Sequence, residues 1–154
     1  MIAGIGHDIV NVAQFAEQMQ ISNGWRKLFS ARELRQCSLR AEIKHDDEAL
    51  HIAARWAGKE AAIKAWCEAL SINNRDYPYT LDNTPWSSIE ILDDAHGCPR
   101  VQISSELNAK LLDSILCAQE SSETSIRWHI SLTHDGSAQN NTAIASAVVL
   151  LEIL

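Results

Sequence analysis

Apolar residues change their spacing along this chain, and each change marks an element. Residues 2–12 are dense in Ile, Val and Gly and predict a buried first strand. Asn11 stands where it can cap a short helix through Phe15 and Met19, which the Ser22-Asn23-Gly24 break would end. Ser30 ahead of Ala31-Arg32-Glu33 is a capping box, in which serine and glutamate satisfy each other's orphan amides. The strongest period follows His45-Asp46-Asp47. Leu50, Ala53, Ala54, Ala57, Ala61, Ala65 and Trp66 recur at threes and fours, predicting a closely packed helix that ends near Leu70. Residues 71–85, with two prolines and several Asn and Asp, read as loop. Residues 88–92 and 99–103 read as strands joined by a turn at Asp94-Ala95-His96-Gly97, and Ser105 as the cap of a helix through Leu107, Leu111, Leu112 and Ile115. Residues 126–133 alternate as a strand, with 143–151 as its partner across the polar loop 135–141. The order of strand, helices, two strands, helix and two strands predicts an α+β fold.

Length and composition narrow this picture. At 154 residues, 46% of them apolar, the chain predicts one soluble globular domain over 1–154. No stretch approaches the ~20 apolar residues of a membrane helix, and the longest apolar run, 143–154, is broken by Ser146 and Glu152. The first residues lack a basic segment ahead of an apolar one, so the expected address is the cytoplasm. Cys37, Cys67, Cys98 and Cys117 form no Cys-x-x-Cys pair and read as reduced, structural thiols. A net charge of -7 argues against general nucleic-acid binding, and any acidic partner would need a local basic patch.

The candidate chemistry begins with Asp8, a carboxylate inside an apolar strand. Such a group is costly unless paired, hydrogen-bonded or bound to a metal; capping a neighbouring helix is the simpler alternative. On the long helix Trp56, Glu60 and Lys64 lie four apart and share a face. That pattern fits a surface Glu–Lys pair, or a pocket edge where Asp8 and Glu60 meet around a hard cation and Lys64 reaches a phosphate. Ser131-Leu132-Thr133-His134-Asp135 contains the letters of a nucleophilic triad, but residues so close on a strand cannot converge as one. His134 at the strand end is instead a hydrogen-bond donor to a phosphate or a structural residue. Gly4-x-Gly6 lacks the third glycine of a dinucleotide fingerprint.

Taken together the segments resemble the holo-acyl-carrier-protein synthase family of phosphopantetheinyl transferases. Gly4-Ile5-Gly6-His7-Asp8-Ile9-Val10 resembles its first strand, Phe29-Ser30-Ala31-Arg32-Glu33-Leu34 a helix start, and Arg55-Trp56-Ala57-Gly58-Lys59-Glu60-Ala61-Ala62-Ile63-Lys64-Ala65 its diagnostic helix. Gly97-Cys98-Pro99 resembles its hairpin, and Ile130-Ser131-Leu132-Thr133-His134-Asp135 its terminal strand end. The resemblance implies a long central helix packed on a small antiparallel sheet, and transfer of 4′-phosphopantetheine from coenzyme A to a serine of an apo acyl carrier protein. It further implies magnesium on Asp8 and Glu60, catalytic roles for Glu60 and Lys64, and coenzyme A contacts from Arg55, Lys64, Pro99, Thr133 and His134. Members are homotrimers with sites between subunits. Either Glu60 or a metal-bound water would take the serine proton. Gln14 and Trp66-Cys67-Glu68 depart from the common pattern, the second putting a phosphate-facing glycine loop in doubt. The Trp66 form is most similar to actinobacterial members, some of which serve carrier domains within fatty-acid synthases. Two rival readings are another magnesium-dependent nucleotide-binding or hydrolysing enzyme on the same three residues, and a non-catalytic interaction domain. Three charges converging on one pocket argue against the second rival.

Overall fold

The computed structural model describes residues 1–116, 124–137 and 141–154. Its elements are β1 (Ile2–Asn11), α1 (Val12–Ile21), α2 (Ala31–Lys44), α3 (Glu48–Ser71), β2 (Ile89–Asp93), β3 (Pro99–Ile103), α4 (Ser105–Ile115), β4 (Ile126–Asp135) and β5 (Ile144–Ile153). Two short 3-10 turns, Gly24–Leu28 and Trp86–Ser88, join them. An antiparallel sheet in the order β1-β5-β4 and a separate β2-β3 hairpin complete the α+β fold. Three helix starts are set by local chemistry. Asn11 accepts from the Gln14 amide, Ser30 and Glu33 form the capping box, and Asp47 accepts from Ala49. For α4 the cap is Ser104, not Ser105: its hydroxyl meets the Leu107 amide, three positions on.

Helix α3 is the axis of the molecule. Of its 24 residues 17 are buried, far more than a one-sided surface helix would cover. Ala53, Ala57, Ala61 and Ala65, one per turn, have 0% exposure and let the sheet approach. Gly4 and Gly6 complete that approach from β1. A Cβ at Gly6 would stand 1.8 Å from the Ala61 carbonyl oxygen, and one at Gly4 2.0 Å from that of Ala65. The glycine pair thus serves strand–helix contact rather than a ligand, and it brings β1 side chains onto α3. A row of aromatic contacts, Trp25–Phe29–Trp56–Trp86, closes the other flank of the helix.

The terminal apolar run is the central strand of its sheet, covered by α3 on one face only. Ala145, Ala147, Val149 and Leu151 are buried beneath the helix. The other face leaves Ile144 and Val148 of β5 exposed beside Ile5 and Ile9 of β1. After Lys64 the helix runs on through Trp66-Cys67-Glu68 to Ser71, so no glycine loop follows it. Trp66 packs edge-on to Tyr77 and its indole donates to the Ser114 hydroxyl at 2.8 Å. Cys37, Cys67 and Cys98 are free thiols, the first buried and the last exposed; Cys117 lies outside the described residues. No helix among the described residues is long and apolar enough to cross a membrane.

Candidate active site

The strand–helix contact made by the two glycines sets Asp8 against α3. Asp8 is buried, and its Oδ1 accepts from Lys64 Nζ at 2.7 Å; Lys64 also donates to the His7 carbonyl at 3.1 Å. Asp8 Oδ2 is buried without a hydrogen-bond partner. A lone pair left unsatisfied in that setting costs on the order of 1–3 kcal/mol, unless something else occupies it. Glu60, half-buried, faces the same point. Burial, and then the Asp8 carboxylate, push its pKa up to about 7, against the opposing pull of Lys64. Two carboxylates crowded together with one oxygen free form a hard, anionic oxygen site. Among the described residues no third Asp, Glu, His or Cys joins them. A divalent cation here would fill its remaining positions with water or ligand oxygens, the mode magnesium favours. Lys64 remains half in solvent, its side chain 55% exposed.

Glu60 is aimed by a lock one residue earlier. Lys59 and Glu33 both have 0% exposure, and Lys59 Nζ donates to Glu33 Oε2 at 2.9 Å and to the carbonyls of Trp86 (2.8 Å) and Ile89. Glu33 also accepts from the Ser30 and Ile91 amides at 2.8 and 2.9 Å. Burial holds the Lys59 pKa below its ordinary value, against the opposing pull of Glu33. The lock ties α2, α3 and β2 together, so the helix cannot turn about its axis without breaking it.

A second cluster lies elsewhere on α3. Arg55 precedes Glu60 by five residues, which turns it about 140° away on the helix. It lines a cavity of about 130 Å³ with Arg40, Lys44, Pro99 and His134. Asp93 Oδ2 accepts from Arg40 Nε at 3.0 Å and from Arg55 Nη2 at 2.9 Å. Arg55 has 4% exposure, yet its Nε has no hydrogen-bond partner. Three guanidinium or ammonium groups against one carboxylate suit this cavity to an anion. His134 keeps its pKa below the usual imidazole range through burial and the nearby cations.

The expected site residues therefore divide. Asp8, Glu60 and Lys64 come together, and Arg55, Pro99 and His134 form a second group. Thr133 belongs to neither, because alternation along β4 turns it to the exposed face while Leu132 and His134 point toward α3. Sequence reasoning missed Arg40, Lys44, His51 and Asp93. Their signal was present: residues 40 and 44, and 51 and 55, are four apart on their helices, so each pair shares a face. A larger cleft of about 600 Å³, lined by Met1, Ile72, Ile115 and Leu154 among others, holds none of the expected residues.

The chain thus offers carboxylates suited to a divalent cation on one side of α3 and a basic cavity suited to an anion on another. The chain belongs to the 4′-phosphopantetheinyl transferase superfamily, whose family model matches residues 4–136. It is 54% identical over 154 residues to the holo-[acyl-carrier-protein] synthase of Bifidobacterium animalis subsp. lactis, covering 97% of each chain. The Mycobacterium leprae enzyme of the same name is 34% identical over 154 residues, covering 99% of this chain and 98% of its own. The structure superposes on the Chronobacterium ammoniagenes ACPS-CoA complex with a TM-score of 0.76 at 30% identity, covering 98% of this chain and 97% of that one.

Proposed function

We propose that this chain, acting as one domain over 1–154, is a magnesium-dependent holo-[acyl-carrier-protein] synthase. It moves 4′-phosphopantetheine from coenzyme A to a serine of an apo acyl carrier protein, or of a carrier domain in a fatty-acid synthase, in the cytoplasm. The observation that carries the reading is the crowding of two carboxylates, Asp8 with its Oδ2 buried and unpartnered and Glu60 with its pKa raised to about 7 by burial and by Asp8. Asp8 and Glu60 would hold the cation, which when bound neutralises the pyrophosphate and makes its phosphorus a better electrophile. Lys64 exchanges its contact with Asp8 for a phosphate oxygen. The anion cavity of Arg55, Lys44 and His134 takes the nucleotide end, with Pro99 on its wall, so that positioning falls to residues remote from the chemistry. The serine hydroxyl oxygen forms a bond to the β-phosphorus as the bond to the bridging oxygen breaks. Adenosine 3′,5′-bisphosphate leaves, and the serine proton passes to the Glu60 carboxylate.

The exposed Ile5, Ile9, Ile144 and Val148 on the uncovered sheet face support assembly as a homotrimer. Thr133 lies on that same face, so any contact it makes with coenzyme A would be to a ligand bound by a neighbouring copy. The test is mass spectrometry of apo-carrier incubated with coenzyme A, with and without magnesium. Gain of one phosphopantetheine that needs the metal, and is lost in Asp8→Ala and Glu60→Ala while their fold persists, is the expected result. Unmodified carrier with the intact protein overturns the function. Sedimentation showing a fully active monomer overturns the trimer.

A further inference from the structure

Behind His134 lies a residue the proposed reaction does not use. His51 opens the second turn of α3, has 2% exposure, and lines the same cavity as Arg55. Its Nε2 lies 2.6 Å from Asp46 Oδ1, and a carboxylate only accepts, so Nε2 carries the proton. The His51 and His134 rings meet edge to face at 5.5 Å between centroids, with an interplanar angle of 83°. Among the described residues, the charged groups that line the cavity or bond to this pair come from four parts of the fold. From α2 come Arg40 and Lys44; from the link before α3, Asp46; from α3, Arg55; from β2, Asp93. Arg40 and Arg55 are already joined to Asp93, and His51 to Asp46. His134 is the imidazole whose ring is left to answer to what enters the cavity.

We infer that His51 and His134 form a proton-linked anion receptor, in which His51 is fixed by Asp46 and His134 gains a proton when a phosphate group enters the cavity. With the His51 ring against its edge and Lys44 and Arg55 at hand, the His134 ring resists a positive charge while the cavity holds no anion. A phosphate dianion reverses that balance and draws a proton onto the nearer ring. The lowering of the His134 pKa by burial, His51 and Lys44 is consistent with this. His51 is thus a positioning residue: it sets the orientation of His134 and the charge that ring carries before the ligand arrives. The inference rests on the cavity being the site of the coenzyme A nucleotide end.

Calorimetric titration of coenzyme A into the metal-free protein, in buffers of different ionisation enthalpy, measures the protons taken up on binding. Protonation of the ligand's own phosphate, and any at Glu60, is common to all variants, so only differences between variants are read. Near pH 7 the wild type is expected to take up roughly half a proton more than His134→Gln. His51→Phe keeps the ring packing and is expected to change the uptake by roughly a third or more, because the second imidazole and its bond to Asp46 are gone. If His51→Phe does not fold, Asp46→Asn replaces it, and the same change is expected. Weakened binding in His134→Gln with wild-type proton uptake overturns the inference and leaves the site reading intact. Unaltered binding in both His134→Gln and Lys44→Ala overturns the site reading itself. Uptake unchanged by His51→Phe, or by Asp46→Asn in its place, reduces His51 to packing and sinks the paired receptor.

Discussion

Replacing Glu60 by glutamine is expected to stabilise the metal-free protein at alkaline pH while abolishing its activity. The Glu60 carboxyl is raised from its ordinary 4.5 to about 7 by burial and by Asp8. At ~1.4 kcal/mol per pH unit this corresponds to about 3 kcal/mol, and partial solvent access brings it to about 1–2 kcal/mol. The sign follows from linkage. Below pH 4.5 both folded and unfolded chains hold the proton and nothing is lost. Between 4.5 and 7 the unfolded chain gives it up first, so stability falls as pH rises; above 7 the full cost is present. Glutamine cannot ionise and escapes the whole effect. For a chain of this size, about 2–4 °C per kcal/mol predicts a melting point some 3–6 °C above wild type at pH 8, converging with it near pH 4. The assay is thermal unfolding in chelator across pH, followed by magnesium addition, which is expected to raise wild type and leave Glu60→Gln unmoved. A variant no more stable than wild type at pH 8, or a difference that ignores pH, would refute the crowding of the two carboxylates.

Lys59→Met leaves the buried Glu33 carboxylate and two carbonyls without their donor, and is expected to cost about 3–5 kcal/mol in urea unfolding. A loss below 1 kcal/mol would contradict the lock. Gly6→Ala drives a methyl into the Ala61 carbonyl, and the expected outcome in circular dichroism and solubility is loss of the folded protein, since neither backbone can yield. Lys44→Ala removes one exposed cation from the cavity; steady-state kinetics are expected to show the KM for coenzyme A rising about 3–10-fold with kcat within twofold, and a shallower dependence on salt.

Much of this was legible in the chain because it is written locally. The Asn11 cap, the Ser30–Glu33 box and the alanine period of α3 each depend on residues within one or two turns. Asp8 announced itself by being a carboxylate among Ile and Val, and Glu60 by its spacing from Lys64. What escaped depends on residues that meet only in the fold. Glu33 read as a capping residue and does cap, but its carboxylate also pairs with Lys59, 26 positions away. The anion cavity takes residues from α2, α3, the β2–β3 turn and β4, so no single window contains it. Thr133 is a different case. Alternation alone separates it from His134, and the period of two already stated for that strand was enough to divide the pair.

The acidic net charge, a puzzle at the level of composition, loses its force once the cations are located. Six of the 13 Lys and Arg residues lie between positions 26 and 44: Arg26, Lys27, Arg32, Arg35, Arg40 and Lys44. At physiological salt, charges more than about 8 Å apart across solvent are largely screened from one another. A phosphate in the cavity therefore answers to Arg40, Lys44 and Arg55, and hardly at all to carboxylates on the far surface. The same separation lets one helix, α3, do opposite electrostatic work on its two faces. Arg55 gathers cations on the side facing β2 and β4, while Glu60, about 7.5 Å further along the axis, gathers carboxylates on the side facing β1. A ligand with phosphates at both ends of such a span would meet fixed positive side chains at one end, and at the other a site that attracts it only when a cation is bound. Binding by the nucleotide end and readiness for transfer are thereby separable, and removing the metal is expected to lower turnover far more than it lowers coenzyme A affinity.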